Sequence, residues 1–521
     1  MYDKKNGVEW NQYETMSDLL QNSCERYAKR VAFSWKKGRK TIEKTYEEWE
    51  RDLLLTAGKI SKMKEKHIGI VSNISYEAMV SLFAIIIAGK VAVPLEADQS
   101  KALYEKHIEK ADIELILYRA STMGEQPDNC SLLQFQELFS MEGERFLEWP
   151  KWESDRAACI FFSSGTSGDF GEKKCVLLSQ LNIVTTCAVF HMREFYRRTT
   201  ETLLFLPFYH VQAFSGIVAC IEGGYKTFLG KGPKYLTVDL LEAQPDFIMS
   251  VPQVSELLMK GIQKGIKSSG KEADVEKGLR LTKALWKYKI DLRPTVFQDI
   301  YKGLGGHLRV MTVGGAPIST DIIDYFEGFG IYLLTGYGMT ETAGAVAQNT
   351  LRRLRPGSVG IVFPYNEVKI VDGEIWIRGN NVMLGYYKDE EATKHVMEDG
   401  WLKTGDLGYL DEDGYLFITG RKKNLIILSN GVNVSPEEVE KELLKSELIQ
   451  EVVVCEKDGH IHARIYPGEL SKEAEKVIQA QIAEEIKNYN YENSVYNRIV
   501  SWELRTAPFE KTSNLKIKRN V

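Results

Sequence analysis

The stretch from Ser163 to Lys174, SSGTSGDFGEKK, combines residue types that can bind an anion with several oxygens. Its glycines leave backbone N–H groups uncovered and accept positive φ angles, and its Ser and Thr hydroxyls add further donors. The chemistry that this pattern indicates is the binding of a phosphate chain. Composition alone also allows a Gly/Ser-rich surface loop with no ligand.

Residues 336–341, GYGMTE, supply the other groups that a magnesium nucleotide requires. Tyr337 offers an aromatic face for a base, Thr340 a hydroxyl donor for phosphate, and Glu341 a carboxylate suited to Mg²⁺. The motif therefore predicts a nucleotide site that includes a divalent cation.

Polar residues near the end of the chain extend this pattern. Asp406 follows a Thr-Gly turn in LKTGDL, where a carboxylate can accept hydrogen bonds from both ribose hydroxyls, and Arg421 follows in GRKK. Lys516 has an apolar residue on each side, which suits a lysine held in a site, but these residues taken alone fit a basic, fraying tail better.

The phosphate loop does not have the spacing of a P-loop kinase. Counting five positions from Gly165 leads to Phe170, so the G-x-x-x-x-G-K pattern is absent. The sequence therefore predicts a different class of ATP chemistry.

Composition excludes several other classes of protein. With 521 residues, 44% hydrophobic and 27% charged, the chain is too long for a single core, and its net charge of −5 gives no general attraction to nucleic acid. The seven scattered cysteines form no C-x-x-C pair, which argues against a disulfide framework or structural zinc. The longest apolar run, AMVSLFAIIIAGK, is shorter than the roughly 18 residues of a membrane span. A cytoplasmic protein without a membrane span is expected.

Elements that could position these residues follow from the hydrophobic pattern. From about residue 15 to 420, apolar runs alternate with helical-period segments, which predicts a mainly parallel sheet covered by helices. The Lys-rich stretch from Lys260 to Arg293 is predicted to be a solvated helical insertion, and Gly/Asp-rich punctuation after residue 370 predicts antiparallel hairpins. The predicted fold class is α/β, with a large N-terminal domain of mixed sheets flanked by helices over residues 1–420.

Residues 421–521 are predicted to form a small, compact α+β domain. Ser435, Pro436 and Glu438 form a capping-box pattern that predicts a helix start. EVVVCE and IHARIY predict a hairpin, and the amphipathic KEAEKVIQAQIAEEIKNY predicts a second helix.

The order of these blocks resembles the acyl-adenylate-forming (AMP-binding) superfamily, which contains acyl-CoA synthetases, adenylation domains of peptide synthetases and luciferase-like enzymes. The resemblance runs from about residue 45 to Arg519 and includes AGKVAVPLEAD, LPFYHVQAF, GGAPIS and LSNGVNVSPEEVE. It is strongest to bacterial long-chain fatty acyl-CoA synthetases. Two departures stand out: Cys175 follows the family lysine Lys174, and Leu515 precedes Lys516, where many relatives have glycine.

The resemblance implies a role for each matching residue. The implied ATP-binding residues are Ser163, Ser164, Gly165, Thr166, Ser167, Gly168, Lys174, Gly315, Ala316, Pro317, Tyr337, Asp406 and Arg421. The implied catalytic residues are Lys516, Thr340, Glu341 and His210, with Glu341 as the magnesium ligand. The implied acyl-pocket residues are His210, Val211, Phe214, Gly336 and Gly338. The implied thiol-tunnel residues are Ser429, Asn430 and Gly431. Lys423 matches the hinge about which the small C-terminal domain, as the resemblance implies, rotates as a mobile lid.

The same resemblance implies the reaction: ATP-dependent activation of a carboxylic acid as acyl-AMP with release of pyrophosphate, followed by transfer to a thiol. The implied cofactors and substrates are ATP, Mg²⁺ and coenzyme A. Amino-acid-activating relatives carry an aspartate after a phenylalanine in the His210 block, and PFYHVQAF has none, so a fatty acid is favoured. An aryl acid, an acyl-carrier-protein acceptor and a noncatalytic nucleotide-binding relative remain as alternatives.

Overall fold

The computed structural model describes most of the chain. The described residues are 2–3, 8–9, 13–163, 173–187, 201–351, 353–428, 433–446, 448–468, 472–493, 498–511, 517 and 519. The chain divides into two compact units. Unit 1 comprises Met1–Ser163, Lys173–Glu367 and Arg378–Met397, and unit 2 comprises Ser164–Glu172, Val368–Ile377 and Glu398–Val521. The predicted boundary near residue 420 stays a prediction.

Sixteen α-helices are assigned among the described residues. In chain order they are α1 Met16–Tyr27, α2 Tyr46–Ser61, α3 Tyr76–Ile87, α4 Lys101–Ala111, α5 Phe135–Ser140, α6 Gln180–Thr186, α7 Val211–Glu222, α8 Leu236–Ala243, α9 Pro252–Ser268, α10 Glu272–Trp286, α11 Arg293–Val296, α12 Gln298–Gly303, α13 Thr320–Phe329, α14 Glu390–Val396, α15 Pro436–Leu443 and α16 Lys472–Glu492.

The described residues also form strands of two to ten residues. In chain order they are β1 Tyr2–Asp3, β2 Val8–Glu9, β3 Val31–Lys37, β4 Lys40–Thr45, β5 His67–Val71, β6 Val91–Leu95, β7 Leu115–Tyr118, β8 Ser131–Gln134, β9 Ala157–Phe162, β10 Cys175–Ser179, β11 Glu201–Leu204, β12 Lys226–Leu229, β13 Phe247–Ser250, β14 Val310–Val313, β15 Tyr332–Tyr337, β16 Ala347–Gln348, β17 Ile361–Val362, β18 Asn366–Val371, β19 Glu374–Gly379, β20 Gly385–Tyr386, β21 Met397–Glu398, β22 Trp401–Leu410, β23 Leu416–Arg421, β24 Ile426–Ile427, β25 Asn433–Val434, β26 Glu451–Lys457, β27 His460–Tyr466 and β28 Ile499–Leu504.

Two mixed sheets form the frame of unit 1. One has the strand order β20-β10-β9-β6-β5-β7-β8, and the other β17-β16-β15-β14-β13-β11-β12-β3-β4. The inner pairs are parallel, while the pairs at the β10 and β20 edge, at the β16 and β17 edge and at the β3 and β4 edge are antiparallel. The predicted α/β class is confirmed, and the first two of these antiparallel edges carry the segments on either side of the phosphate loop and the GYGMTE motif.

Local sequence explains the helices of unit 1. The apolar run that is too short to cross a bilayer forms α3, every residue of which except Glu77 is buried. The chain leaves that helix through Gly89 at φ +73°, where a Cβ would lie 2.6 Å from the Trp152 ring. The Lys-rich insertion forms α9 and α10 with a short break between them, as predicted. Among the described residues, no helix combines the length and the apolar character needed to cross a membrane.

Unit 2 contains a sheet in which β18, β19, β22 and β21 lie in order with β23 paired to β22, and a three-stranded sheet of β26, β27 and β28. The predicted hairpin of β26 and β27 and the predicted helices α15 and α16 are confirmed. The predicted capping box is wrong. Ser435 occupies the N-cap position, but its hydroxyl donates to the carbonyl of Thr419 at 2.8 Å instead of accepting from the first turn of α15.

Candidate active site

The base of the phosphate loop is closed by paired hydrogen bonds. Phe162 of β9 lies opposite Cys175 of β10, and just beyond this pair the backbone N–H of Ser163 donates to the carbonyl of Lys174 at 2.9 Å. The N–H of Lys174 donates in return to Ser163 Oγ at 3.0 Å. Ser163 and Lys174 are therefore brought together at the two ends of the loop. The predicted phosphate-binding residues Ser164, Gly165, Thr166, Ser167 and Gly168 lie outside the described residues.

The carboxylate of Glu341 is buried in a short 3-10 helix, Thr340–Thr342, that follows β15. Tyr386 donates its hydroxyl to Glu341 Oε1 at 2.9 Å, and the N–H of Met383 donates to the Glu341 carbonyl at 2.8 Å. Burial, followed by the nearby Glu341 charge, raises the pKa of Tyr386 far above that of an ordinary phenol. The Tyr386 hydroxyl is thus a hydrogen-bond donor throughout the physiological pH range.

Tyr386 also connects this carboxylate with the phosphate-loop lysine. The Lys174 Nζ lies 4.4 Å from the centroid of the Tyr386 ring, within the range of a cation–π contact. One tyrosine in unit 1 therefore contacts the proposed phosphate-binding cation through its ring and the proposed magnesium ligand through its hydroxyl.

Close backbone packing shapes the GYGMTE turn. A Cβ on Gly338 would lie 1.6 Å from the carbonyl oxygen of Gly344, so no side chain fits at that position. Gly336 pairs with Gln348, and Tyr337 pairs with Ala347, at the end of β15. Tyr337 and Thr340 are both half-buried. The turn thus presents the predicted adenine and phosphate contacts from a fixed backbone.

The predicted adenine-side turn, Gly315, Ala316 and Pro317, follows β14 directly. Gly315 has φ +85°, and a Cβ there would lie 3.2 Å from Gln212 Oε1. Gln212, near the start of α7, also donates to the carbonyl of Ser250 at 3.2 Å. The side chain of Gln212 therefore lies against the turn, which brings the His210 block and the GGAPIS block together.

His210 and its neighbours begin α7. His210 is the N-cap residue, its ring lies 4.4 Å from the Tyr209 ring, and the following Val211 is buried. A Cβ on Gly344 would lie 2.5 Å from Ser215 Oγ, so α7 packs closely on the loop that follows GYGMTE. His210, Val211, Gly336 and Gly338 thus belong to adjoining segments, and the acyl pocket that they were predicted to line stays a prediction.

Phe214 has a packing environment that the sequence did not reveal. It is buried, and its ring lies 5.3 Å from Phe161 and 6.1 Å from Phe83. These contacts place it in the aromatic core of unit 1. Its contribution to an acyl pocket stays a prediction.

In unit 2, Asp406 and Arg421 form an ion pair. They lie opposite each other in the antiparallel pair of β22 and β23, and Arg421 Nε is 2.8 Å from Asp406 Oδ1. Glu374 fixes the TGD segment of β22. Its buried carboxylate accepts a hydrogen bond from the N–H of Gly405 at 3.0 Å and forms a 2.9 Å ion pair with Lys422. The two residues predicted to contact the ribose are therefore brought together.

Lys423, the predicted hinge residue, follows this ion pair in a short 3-10 helix, Lys422–Asn424. Desolvation, and then the positive charge of Arg421, lowers the pKa of the Lys423 ammonium. The predicted thiol-tunnel residues Ser429, Asn430 and Gly431 and the predicted catalytic Lys516 lie outside the described residues.

The residues that flank Lys516 in sequence are anchored by two buried acids. Glu451 accepts from the N–H of Phe509 at 2.8 Å and pairs with Lys511 at 2.6 Å, and Lys511 forms a β-bridge with Ile517. Arg519 forms an ion pair with Glu440. Burial raises the pKa of Glu440 to about 7, even though Arg519 acts in the opposite direction.

Sequence reasoning missed Tyr386, Gln212, Glu374 and the two anchoring acids. Glu374 and Tyr386 stand in segments, DGEIWIRG and LGYYKD, in which no local pattern marks either residue as part of a site. Only strand pairing reveals their partners. Gln212 lies in the same block as His210, and its side chain could have been considered with that block.

Comparisons with known proteins show which family the sequence matches. The model of the AMP-binding enzyme family matches residues 20–387, and that of the AMP-binding enzyme C-terminal domain matches residues 423–521. The chain is 34% identical over 318 residues to the long-chain-fatty-acid–CoA ligase FadD15 of Mycobacterium bovis, covering 58% of this chain and 52% of that protein. It is 29% identical over 411 residues to a long-chain-fatty-acid–[acyl-carrier-protein] ligase of Arabidopsis thaliana, covering 65% and 55%. The chain spans about half the length of these curated relatives.

Solved structures share the fold over nearly the whole chain. The o-succinylbenzoate CoA synthetase of Bacillus subtilis, in complex with its acyl-adenylate, has a TM-score of 0.76 at 21% identity, covering 96% of this chain and 97% of that one. An anthranilate CoA ligase in complex with anthranoyl-AMP has a TM-score of 0.77 at 18% identity, covering 98% and 96%. The predicted fold of a large α/β domain followed by a small C-terminal domain is therefore confirmed.

Proposed function

Because the chain belongs to the AMP-binding enzyme family, we propose that it activates a carboxylic acid with ATP and transfers the acyl group to a thiol. In the first step a carboxylate oxygen forms a bond to the α-phosphorus, the bond to the β-phosphate oxygen breaks, and pyrophosphate leaves. In the second step the thiolate sulfur bonds to the acyl carbon, and AMP leaves with the former carboxylate oxygen. A cytoplasmic location, where ATP and coenzyme A are available, suits this reaction.

The observation that carries the proposal is the contact of Tyr386 with both Lys174 and Glu341. A cation at the phosphate loop and a buried carboxylate near it are the two groups that a magnesium–triphosphate needs from a protein. A kinase would use similar groups, but the chain lacks the P-loop spacing. In this proposal Lys516, which matches the family's catalytic lysine, neutralises the negative charge that develops on the α-phosphate oxygens.

The residues present suit Mg²⁺. Among the described residues, no group of three or more His, Cys, Asp or Glu side chains could hold a metal ion by itself. Mg²⁺ commonly binds through one or two carboxylates together with substrate phosphates, and the buried Glu341 carboxylate provides one such ligand. When bound, the cation would offset negative charge on the phosphate oxygens. Glu341 would bind it, Tyr386 would orient Glu341, and Lys174 would bind the β- and γ-phosphates.

A fatty acid is the proposed substrate. The His210 block has no aspartate for an amino group, and the curated relatives named above are long-chain-fatty-acid ligases. Coenzyme A is the proposed thiol, and the pantetheine of an acyl carrier protein is the second candidate, because one relative is an acyl-carrier-protein ligase. An aryl acid is the alternative substrate, since both structural neighbours named above hold aryl adenylates.

The test is incubation of the chain with ATP, Mg²⁺ and a panel of fatty, aryl and amino acids, with pyrophosphate measured before any thiol is added. Pyrophosphate should form with fatty acids, and the kcat/KM for its formation should rise with chain length by about fourfold per buried methylene at first. Coenzyme A and a pantetheinylated carrier protein are then added separately and the thioester is detected by mass spectrometry. Nucleotide binding without pyrophosphate from any acid would contradict the proposal and indicate a noncatalytic relative.

A further inference from the structure

Two adjacent tyrosines at the end of β20 have different partners. Tyr386 is buried, and it contacts Glu341 and Lys174 as described above. Tyr387 donates its hydroxyl to Asp112 Oδ2 at 2.8 Å, and its ring lies 5.1 Å from the His67 ring. Each hydroxyl therefore donates one hydrogen bond to a carboxylate, but only that of Tyr386 reaches the candidate site.

The strand register accounts for the contacts of Tyr386. Tyr386 lies directly opposite Val176 in the antiparallel pair of β10 and β20. Lys174 precedes Val176 by two residues, so Lys174 and Tyr386 are diagonal neighbours, within reach of long side chains. The N–H of Tyr387 also donates to the carbonyl of Cys175 at 2.8 Å, which fixes the register next to the loop base.

We propose that Tyr386 is a positioning residue that orients the Glu341 carboxylate toward a divalent cation and holds the Lys174 ammonium beside it. This proposal deepens the proposed function and rests on it. The hydroxyl engages one carboxylate oxygen, so the Glu341 side chain keeps one orientation whether or not a cation is bound. The ring holds the lysine through its negative face. Partners of this kind behind a metal ligand typically change metal affinity or activity by about 10- to 100-fold when they are removed.

The test uses three variants of the full chain. Tyr386→Phe removes the hydroxyl and keeps the ring, Tyr386→Leu removes both, and Tyr387→Phe removes an equivalent tyrosine–carboxylate hydrogen bond away from the candidate site. Mn²⁺ binding is measured by electron paramagnetic resonance in the presence of ATP and without any acid, so that no turnover is needed. Glu341→Gln serves as the variant that lacks the proposed ligand.

Tyr386→Phe should weaken Mn²⁺ binding by about 10-fold or more, whereas Tyr387→Phe should bind as the wild type does. Tyr386→Leu should weaken Mn²⁺ binding by the same factor and should in addition raise the Kd for ATP by about 3- to 10-fold, because the Lys174 contact is lost. Equal Mn²⁺ affinity in Tyr386→Phe and Tyr387→Phe would overturn the proposal.

A second measurement keeps the proposal testable if Tyr386→Phe does not fold. A 3-fluorotyrosine placed at position 386 should change its fluorine chemical shift when Mg²⁺ and ATP are added together, and one placed at position 387 should not. An unchanged resonance at 386 would overturn the proposal.

The pyrophosphate assay and the Mn²⁺ measurement test the proposed reaction and the positioning role of Tyr386 separately. If the wild type releases no pyrophosphate with any acid but its Mn²⁺ affinity depends on the Tyr386 hydroxyl, the proposed reaction fails and the positioning role stands. If the wild type releases pyrophosphate and Tyr386→Phe has the wild-type Mg²⁺ requirement, the positioning role alone is overturned.

Discussion

The Nε atom of Arg421 lies 2.8 Å from Oδ1 of Asp406 across the antiparallel pair of β22 and β23. The guanidinium thereby orients the buried carboxylate of Asp406, which follows Gly405 in β22. A carboxylate held in this way can accept two hydrogen bonds from a ribose with little loss of conformational freedom on binding.

Asp406→Asn should therefore weaken ATP binding and leave the fold intact. The amide keeps one acceptor oxygen but loses the charge that strengthens both the Arg421 contact and the ribose hydrogen bonds. We expect the KM for ATP to rise about 10-fold or more in the pyrophosphate assay, with a smaller change in kcat. Glu367→Gln, which breaks an exposed pair with Arg378, is the matched control and should have a wild-type KM. An unchanged KM in Asp406→Asn would contradict the ribose assignment.

Lys516→Ala should affect the two half-reactions differently. In the proposed mechanism the lysine stabilises charge that develops on the α-phosphate during acyl-AMP formation, and loss of such a group typically lowers the rate by about 10²- to 10³-fold. Thioester formation from chemically supplied acyl-AMP makes no new bond to phosphorus, so it should proceed at close to the wild-type rate. Lys511→Ala offers a comparison at another lysine of the same segment. Equal loss of both half-reactions in folded Lys516→Ala would exclude this role.

Two glycine substitutions should have opposite effects on stability. A methyl group on Gly338 would lie 1.6 Å from the Gly344 carbonyl oxygen, so Gly338→Ala must displace backbone in the GYGMTE turn. Gly261 lies exposed in α9 with open space around its Cα. Gly261→Ala should raise the melting temperature slightly, since alanine favours a helix by up to about 1 kcal/mol. Gly338→Ala should lower it by several degrees, and calorimetry on both variants would detect the difference. A Gly338→Ala protein as stable as the wild type would contradict the close contact of Gly338 with the Gly344 carbonyl.

Glu440 should make the stability of its surroundings depend on pH. Its pKa is about 7 in the folded protein because of burial, compared with an ordinary value of 4.5. Between these values the folded state binds more protons than the unfolded state, so its contribution to stability falls as pH rises from about 5 to 7. Hydrogen exchange of the Val454 amide, which donates to Glu440 Oε1 at 2.7 Å, reports this locally.

The matched variant for this prediction is Glu440→Gln, which keeps an acceptor for Val454 but has no titration. After correction for intrinsic exchange, the Val454 amide of the wild type should become less protected, relative to the same amide in Glu440→Gln, as pH rises. A difference that is constant from pH 5 to pH 7 would exclude a raised pKa at Glu440.

Much of this fold and site could be predicted from sequence because the information is local. Apolar runs and their spacing predicted the sheets and helices, and GYGMTE and TGDL each carry their functional side chains within a few residues. Tyr386 could not be predicted in this way, since it lies 45 residues after Glu341, and since it meets Lys174 through the pairing of β10 with β20. The capping box at Ser435 failed for the same reason: its hydroxyl donates to the carbonyl of Thr419 in β23, a partner 16 residues earlier that no helix-start pattern contains.

The proposed chemistry is tested most directly by the fate of a carboxylate oxygen. The chain is incubated with ATP, Mg²⁺, coenzyme A and a fatty acid whose two carboxylate oxygens are ¹⁸O, and the AMP, pyrophosphate and any inorganic phosphate are analysed by mass spectrometry. Attack of the carboxylate on the α-phosphorus predicts one ¹⁸O atom in AMP and unlabelled pyrophosphate. Label in inorganic phosphate with formation of ADP, or AMP without label, would contradict it.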